Sequence, residues 1–229
     1  MATMLQAQSD VQLSKSSSIR QIVDSCLSAM VLVVLSPLLL VIAGSIFCET
    51  GLPILFTQQR VGRNGQLFRL LKFRTMLHET KGPALTVSGD PRVTRSGRFL
   101  RDFKLDEIPQ LWNVVRAEMA LVGPRPEVPE FVDLNEPLWH SVLRVRPGIT
   151  DPASIAYRRE EKLLAKAPDP IRYYQETLLP AKLAINLAYL HERSFWLDFK
   201  VILRTVRCVA YPDKGRITDT SDFSPRESK

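Results

Sequence analysis

The longest apolar run of the sequence lies near its N-terminus. Residues 25–48 form a stretch of 24 without a charge, bounded by Asp24 and Glu49. At about 1.5 Å per residue, a straight helix of this length measures roughly 36 Å, enough to cross a hydrocarbon core of about 30 Å. Pro37 removes one helical hydrogen bond in the middle of the run, and Ser36 offers a hydroxyl to the carbonyl that this frees. The pattern predicts a membrane helix that bends at Ser36-Pro37.

Two topologies are compatible with this bend. The helix either spans the bilayer with a kink or re-enters and leaves on the side where it entered. Lys15 and Arg20 precede the apolar run and a basic block follows it, and such flanks favour the cytoplasmic side at both ends. The residues alone support the two topologies about equally. A cleaved signal peptide is disfavoured because the run is too long and starts too late.

A β-hairpin is predicted directly after the apolar run. Two stretches of alternating hydrophobicity, at residues 54–61 and 66–73, flank Asn64-Gly65. Asn-Gly is a strong hairpin signal because both central residues of a type I′ turn need positive φ. Alternation places Lys72 and Arg74 on one face at the end of the second strand. This pair either holds a phosphate or forms a solvated strand face.

Less regular segments follow the hairpin and fill much of the C-terminal third. Residues 77–97 are rich in Gly, Pro, Ser and Thr and are predicted to form a loop or lid. Residues 144–161 form a proline-punctuated loop that either contacts substrate or links elements. A later helical stripe predicts an amphipathic helix that either packs in the core or lies in the lipid interface. Its members are Phe195, Trp196, Phe199, Ile202, Leu203 and Val206.

Another helix is predicted around an acid pair. Apolar residues recur at i, i+3, i+4 and i+7, namely Ile108, Leu111, Trp112 and Val115. Pro109 is tolerated only in the first turn, so the helix is predicted to begin near Asp106 as its N-cap. The carboxylates of Asp106 and Glu107 would then lie at the positive end of the helix dipole, where a phosphate can also dock.

Two acids and a phosphate repel one another, so such a site needs a divalent cation or arginines. Arg101 lies five residues before Asp106, and Arg125 lies between two prolines 18 residues after Glu107. The prolines favour an extended backbone and a rigid display of this guanidinium for bidentate phosphate recognition. The simpler interpretation is that Asp106 is only a helix cap and Glu107 an ordinary first-turn acid.

Composition and charge narrow the class of protein. The chain has 229 residues, 45% hydrophobic and 24% charged, which fits one folded domain, or one domain with an anchor, and excludes a disordered or polytopic chain. Three scattered cysteines and three distant histidines favour neither a disulfide scaffold nor a zinc site. Residues 60–104 carry eleven Lys/Arg against three acids, a net +8 that suits nucleic acid, an anionic lipid surface or a phosphorylated substrate. Nucleic acid is disfavoured because aromatic residues are only 8% and no reader motif interleaves them with the arginines.

Over about residues 20–206, the chain resembles the bacterial sugar transferases known as monotopic phosphoglycosyl transferases. The matching motifs, in order, are the Ser36-Pro37 break, QQRVGRNGQLFRLLKFRTM, DPRVTRSGRFLR, LDEIPQLWNV, LVGPRPEVP, VRPGIT and SFWLDFKVILRTV. The resemblance implies transfer of a sugar 1-phosphate from a UDP-sugar to polyprenyl (undecaprenyl) phosphate. UMP is released, Mg²⁺ is required, and the step initiates surface-polysaccharide assembly. The expected fold is α+β, mainly helical with a small β-hairpin, a re-entrant membrane helix-break-helix and interfacial amphipathic helices.

The resemblance also assigns roles to individual residues. Asp106 corresponds to a nucleophile that forms a phosphosugar-aspartyl intermediate, and Glu107 to its partner in magnesium or proton handling, so both are expected metal ligands. Arg125 and Arg101 are expected to bind phosphate or the nucleotide. Further substrate-binding candidates are Lys72, Arg74 and Glu127.

The expected organisation has four parts. These are a flexible N-terminus at residues 1–19, a re-entrant membrane helix at 20–50, a catalytic domain at 51–211 on the cytoplasmic face of the bacterial inner membrane, and a polar tail at 212–229. Expected partners are the UDP-sugar, polyprenyl phosphate, membrane lipid and downstream glycosyltransferases, without nucleic acid. After VRPGIT many family members continue with Gly and an Ala-Gln-Val run, whereas this chain has DPASI at residues 151–155, so its sugar is not assumed. The alternative function is a membrane-tethered basic binding protein without catalysis.

Overall fold

The computed structural model describes residues 2–77, 86–87 and 89–211, with side chains from residue 18 onward. Residues 78–85 and 88 of the predicted loop or lid lie outside these residues, as do the polar tail and the side chains of residues 1–17 in the predicted flexible N-terminus. The helices are α1 (Ala2–Thr50), α2 (Arg95–Asp102), α3 (Gln110–Val115), α4 (Pro137–Val142), α5 (Pro152–Ala156), α6 (Glu160–Leu164), α7 (Pro170–Tyr173), α8 (Leu179–His191) and α9 (Phe195–Ala210). The strands are β1 (Leu55–Val61), β2 (Leu67–Phe73), β3 (Ala120–Val122) and β4 (Gly148–Thr150). The predicted mainly helical α+β fold with a small hairpin is confirmed.

Helix α1 carries the apolar run and continues through Pro37. Ser36 Oγ donates to the carbonyl of Val33 at 2.8 Å, so the hydroxyl satisfies the acceptor that the proline leaves free. The part from Ser18 to Thr50 is long and apolar enough to cross a membrane. Its central side chains, such as Val33 and Leu40, are largely exposed, which is the pattern of a helix that meets lipid.

Both ends of the apolar run contact the folded domain. Ser25 Oγ donates to the carbonyl of Val114 at 3.0 Å. At the other end, the Glu49 carboxylate accepts from the backbone N–H groups of Arg95 and Ser96 at 2.8 and 3.1 Å. Near this second end the helix joins a core cluster of Ile42, Ile46, Phe73 and Leu100. Helix α1 is therefore attached to the domain at two places, one on each side of Pro37.

The predicted hairpin is confirmed to within one residue at each end. Strands β1 and β2 are antiparallel, with Leu55 opposite Phe73 and Val61 opposite Leu67. Asn64 and Gly65 have φ of 57° and 76°, the positive values that the Asn-Gly signal requires.

A buried amide attaches the hairpin to α3. Asn113 Oδ1 accepts from the N–H of Leu71 at 3.1 Å, and its Nδ2 donates to the carbonyl of Arg69 at 2.8 Å. Nδ2 also donates to Glu118 Oε2 at 2.7 Å. One side chain thus satisfies both backbone groups of the neighbouring strand, which fixes the position of the strand that carries Lys72.

The prediction that a helix begins at Asp106 is wrong. Residues Leu105–Glu107 form a 3₁₀ turn, and α3 begins at Gln110, directly after Pro109. The predicted apolar stripe is only partly buried, and Trp112 is 50% exposed. Helix α3 instead buries Val114, which packs against Leu70 of β2, and Asn113, and neither belongs to the predicted stripe.

Five further elements differ from the sequence prediction. Helix α2 begins at Arg95, inside the predicted loop, because Thr94 caps it by accepting from the N–H of Gly97 at 2.9 Å. Strands β3 and β4 form an unpredicted parallel pair, and β4, α5 and α6 occupy the segment predicted as a loop. Gly148 is needed there, because a Cβ at this position would lie 2.1 Å from the nitrogen of Gly123.

The C-terminal third carries the largest core cluster and an exposed apolar helix. The cluster consists of Trp139, Val142, Leu164, Tyr174, Leu178, Leu179 and Leu183. On α9, Val201 is buried, whereas Phe195, Trp196 and Phe199 are exposed. The core interpretation of the predicted stripe is therefore wrong for most of its members, and the interfacial interpretation fits their exposure.

Candidate active site

The acid pair lies in the tight turn between α2 and α3. The chain enters this turn through Lys104, whose φ of 55° and ψ of 21° are left-handed, and both Asp106 and Glu107 are buried. Asp106 Oδ1 is buried without a hydrogen-bond partner among the described residues. Burial, and the negative charge of Glu107, raise the pKa of Asp106. A desolvated carboxylate oxygen with no partner is available to bond an incoming atom or ion.

Glu107 has the opposite environment because two cations hold it. Arg125 donates from Nη2 to Oε1 at 2.6 Å and from Nη1 to Oε2 at 3.2 Å, and Lys72 donates from Nζ to Oε1 at 3.3 Å. Burial raises the pKa of Glu107, but Arg125 and Lys72 outweigh this and hold it well below the usual range. Glu107 is therefore ionised and organises the cations around the acid pair.

The two cations were predicted as phosphate ligands, and the structure brings both to Glu107. The Glu107 carboxylate raises the pKa of Arg125, whereas burial lowers the pKa of Lys72. Arg74 lies elsewhere, although alternation placed it on the face of Lys72. Its Nη2 donates to the carbonyl of Gly51 at 2.6 Å, so it holds the C-terminal end of α1.

Arg101 contacts Thr75 and Glu161 rather than the acid pair itself. Its Nε donates to Thr75 Oγ1 at 2.9 Å, and its Nη1 lies 3.5 Å from Glu161 Oε1. Arg101 is also among the charges that oppose the burial-driven rise in the pKa of Asp106. The structure thus places it beside the site with a half-exposed acid as its partner.

Glu127 belongs to a separate buried network behind the Pro-Arg-Pro segment. Tyr174 Oη donates to Glu127 Oε1 at 2.6 Å, and Lys182 Nζ and Arg60 Nη1 lie 3.8 and 3.7 Å from the carboxylate. Lys182 also donates to Glu160 Oε2 at 3.0 Å. This network fixes the backbone next to Arg125, and the predicted contact of Glu127 with substrate stays a prediction.

The DPASI segment forms the capped start of α5. Asp151 is fully buried and accepts from the N–H of Ser154 at 2.9 Å and from its hydroxyl at 2.6 Å. The acid that follows VRPGIT in this chain therefore has a capping role.

Sequence reasoning missed two features of the site. Lys104 was counted in the basic block but not singled out, although its position two residues before Asp106 was a usable signal. Glu160 and Lys182 carry no local signal, because only the tertiary fold brings them to Glu127 and toward Arg125.

The acid pair has the donor chemistry for a magnesium ion. Within residues 18–77, 86–87 and 89–211, no group of three or more His, Cys, Asp or Glu side chains could hold a metal. Mg²⁺, however, commonly binds through one or two carboxylates and completes its shell with water and substrate phosphates. The unpartnered Oδ1 of Asp106 and the carboxylate of Glu107 fit that mode of binding.

The protein thus combines a buried acid pair flanked by cations with a helix that is long and apolar enough to cross a membrane. Residues 15–211 match the model of the family described as bacterial sugar transferase, and the chain belongs to that family.

Curated relatives span different sugars. The UDP-glucose:undecaprenyl-phosphate glucose-1-phosphate transferase of Caulobacter vibrioides is 36% identical, over 86% of this chain and 71% of the relative. The undecaprenyl-phosphate glucose phosphotransferase of Komagataeibacter xylinus is 37% identical over 80% of this chain. The UDP-N-acetylgalactosamine-undecaprenyl-phosphate N-acetylgalactosaminephosphotransferase of Aeromonas hydrophila is 35% identical over 76%. The matched part of this chain spans 34% of the Komagataeibacter protein and 39% of the Aeromonas protein.

Proposed function

We propose that this chain is a phosphoglycosyl transferase that moves a sugar 1-phosphate from a UDP-sugar to polyprenyl phosphate and releases UMP. The observation that carries the proposal is the buried, unpartnered Oδ1 of Asp106 beside a Glu107 held by Arg125 and Lys72. The relatives' names supply the substrate class, since they act from UDP-sugars on undecaprenyl phosphate. Relatives that use glucose and N-acetylgalactosamine are almost equally identical to this chain, at 36% and 35%, so the donor sugar has to be determined by experiment.

The reaction proceeds in two displacements at Asp106. In the first, a carboxylate oxygen of Asp106 bonds to the β-phosphorus of the UDP-sugar, and the bond from that phosphorus to the bridging oxygen breaks. UMP leaves with the electron pair, and the phosphosugar remains on the aspartate. In the second, an oxygen of polyprenyl phosphate bonds to the same phosphorus and the aspartyl bond breaks. The product is a polyprenyl diphosphate sugar, the Asp106 carboxylate is restored, and glycosyltransferases that extend lipid-linked sugars are its expected consumers.

Charge management explains why these residues surround the nucleophile. Phosphoryl transfer needs positioned positive charge near the phosphorus and the leaving oxygen. Glu107 keeps Arg125 and Lys72 ordered at hydrogen-bonding distance, which lowers the reorganisation needed when the diphosphate arrives. A Mg²⁺ ion held by Asp106 and Glu107 would neutralise diphosphate charge when bound.

The membrane helix is proposed to be re-entrant, on the cytoplasmic face of the bacterial inner membrane. The support is that both ends of the apolar run, through Ser25 and Glu49, contact the same folded domain. A helix that crossed the bilayer would carry one of these ends to the side opposite the domain. Pro37 weakens the helix between the two contacts, and the exposed aromatics Trp112, Trp196 and Phe199 suit a domain that rests on the lipid interface.

The alternative of a basic binding protein gains no support from the site. Lys72, which belongs to the basic block, pairs with Glu107 together with Arg125. These charges are therefore organised around the acid pair.

UMP release tests the catalytic proposal. The purified full chain, in detergent or nanodiscs, is given undecaprenyl phosphate, Mg²⁺ and a panel of UDP-sugars, and one donor is expected to give sustained UMP. Asp106→Asn is expected to abolish release, and Asp102→Asn, at an exposed acid on α2, is the matched control that keeps it. Undiminished release by Asp106→Asn refutes the assignment of the nucleophile.

Native cysteines test the topology. Cys26 and Cys48 are exposed at the two ends of the apolar run. In a Cys208→Ser background, single-cysteine variants are treated with a membrane-impermeant thiol reagent in right-side-out and inside-out vesicles. Labelling of both positions from the cytoplasmic side is expected, and labelling from opposite sides contradicts re-entrance.

A further inference from the structure

Lys104 has an unusual position at the entrance to the acid pair. It is a residue with a Cβ in the left-handed region, at φ 55° and ψ 21°, directly before the Leu105–Glu107 turn. Its N–H donates to the carbonyl of Arg101 at 3.1 Å, and its own carbonyl accepts from the N–H of Glu107 at 3.3 Å. These two hydrogen bonds fix the backbone on both sides of Lys104. They hold it in a left-handed conformation that most residues with a Cβ avoid.

The charge of Lys104 is not needed by its nearest acid. Arg125 and Lys72 lie 2.6 and 3.3 Å from Glu107 Oε1, whereas Lys104 Nζ lies 4.0 Å away, at the outer limit of an ion pair. The Lys104 side chain is 44% exposed, against 24% for Arg125 and 21% for Lys72. Glu107 is therefore neutralised by two partly buried cations, and the third cation has more access to water.

The flexible lysine side chain can move where the other cations cannot. Arg125 is constrained by two prolines and a bidentate contact, and Lys72 by its strand. Lysine carries a compact charge on a flexible four-carbon stem, which can follow a ligand over several ångströms. The ammonium already lies beside the acid pair, since Lys104 Nζ is 4.0 Å from Glu107 Oε1.

We propose that Lys104 is a phosphate-binding residue whose ammonium leaves Glu107 and pairs with a phosphate oxygen of an incoming substrate. The assignment rests on the proposed function, because the ligand chemistry is that of its substrates. Two phosphates share this chemistry: the diphosphate of the UDP-sugar and the phosphate of polyprenyl phosphate. Lys104 moves no proton and makes no covalent bond; it supplies positive charge as the phosphate enters and is free to release the product.

Three substitutions separate the charge of Lys104 from its backbone role. Lys104→Gln removes the charge, Lys104→Arg keeps it, and Lys104→Gly removes it while relieving the left-handed strain. Lys162→Gln, at an exposed lysine on α6, is the matched control. The readouts are the UMP burst with donor alone, the steady-state KM for undecaprenyl phosphate, and equilibrium binding of UDP and of undecaprenyl phosphate measured without turnover.

Lys104→Gln removes one charge-assisted contact at a partly exposed site. The dissociation constant or KM of the substrate whose phosphate Lys104 binds is expected to rise about tenfold, with kcat changed less than twofold. The Gln and Gly variants should share this loss, and Arg and the Lys162→Gln control should keep wild-type values. A loss confined to the donor constants identifies the diphosphate, and one confined to the acceptor constants identifies the lipid phosphate.

Unchanged constants for both substrates in Lys104→Gln overturn the proposal. So does wild-type binding by Lys104→Gly when Lys104→Gln binds weakly, because the charge is then irrelevant. Failure of the wild-type chain to release UMP is a failure of the proposed function. In that case the turnover-free binding still decides the role of Lys104, since weaker UDP or undecaprenyl phosphate binding by the Gln variant supports it and unchanged binding overturns it.

Discussion

The contact between Glu107 and Arg125 is expected to be a large electrostatic contributor to the stability of the site. The two side chains are joined by two hydrogen bonds of 2.6 and 3.2 Å in a mostly buried environment. Removing one partner of a buried pair typically costs about 3–5 kcal/mol, because the other charge is left without compensation. Lys72 stays near Glu107 and Arg125 is partly exposed, so a discounted cost of about 2–3 kcal/mol is expected for Arg125→Gln.

A double-mutant cycle isolates this contact. Arg125→Gln, Glu107→Gln and the double variant are unfolded with urea in detergent micelles, and fluorescence is followed, to which the buried Trp139 contributes. The double variant is expected to lose about 2 kcal/mol less free energy of unfolding than the two single variants lose together. The reason is that the double variant leaves neither partner of the pair with an unpaired charge. The exposed pair Arg172 and Glu176 is the control, with an expected coupling of about 0.3–0.5 kcal/mol. Additivity within about 0.5 kcal/mol at Glu107 and Arg125 would refute the reasoning.

Three other predictions concern the frame of the site. Gly97→Ala places a Cβ 2.3 Å from the carbonyl oxygen of Thr75, so urea unfolding should show a loss above about 2 kcal/mol; an unchanged midpoint contradicts the packing. Asn113→Leu leaves backbone groups of the hairpin unpaired and should cost about 2–4 kcal/mol, against which wild-type stability would count. Burial raises the pKa of Glu160, but Lys182 outweighs burial and holds this pKa below the usual 4.5. The ionised Glu160 therefore stabilises the fold above about pH 4.5, and this stabilisation is lost as the pH falls through the lower pKa of the folded state. Glu160→Gln should therefore flatten the acid limb of the stability profile, and an unchanged slope would contradict this.

The hairpin is the element of the fold that local sequence signals predicted correctly. Asn64-Gly65 specifies a turn through backbone sterics alone, and the hairpin follows within one residue at each end. The start of α3 was misplaced because the rule that puts proline in the first turn does not exclude a preceding 3₁₀ turn. The parallel pair of β3 and β4 was missed because three-residue strands are too short to show a period.

The candidate site was only partly predictable for a related reason. The sequence predicted Asp106 and Glu107 as a pair because they are neighbours in the chain and lie only a few residues before Pro109. The ion pair of Glu107 with Arg125 joins residues 18 apart, with α3 and β3 between them. The sequence therefore indicated a phosphate ligand where the structure has a carboxylate partner. The exposure of the apolar residues on α9 depends on what packs beside them, which a helical period does not encode.

The central claim, that Asp106 carries the phosphosugar, is tested most directly by mass spectrometry of the full chain incubated with the active UDP-sugar and Mg²⁺ but no acceptor. The account predicts a mass increase of one sugar phosphate, located on the peptide that contains Asp106, absent from Asp106→Asn and removed by undecaprenyl phosphate. An adduct on another residue would contradict it. So would the absence of any adduct without acceptor, if the same enzyme turns over once acceptor is supplied.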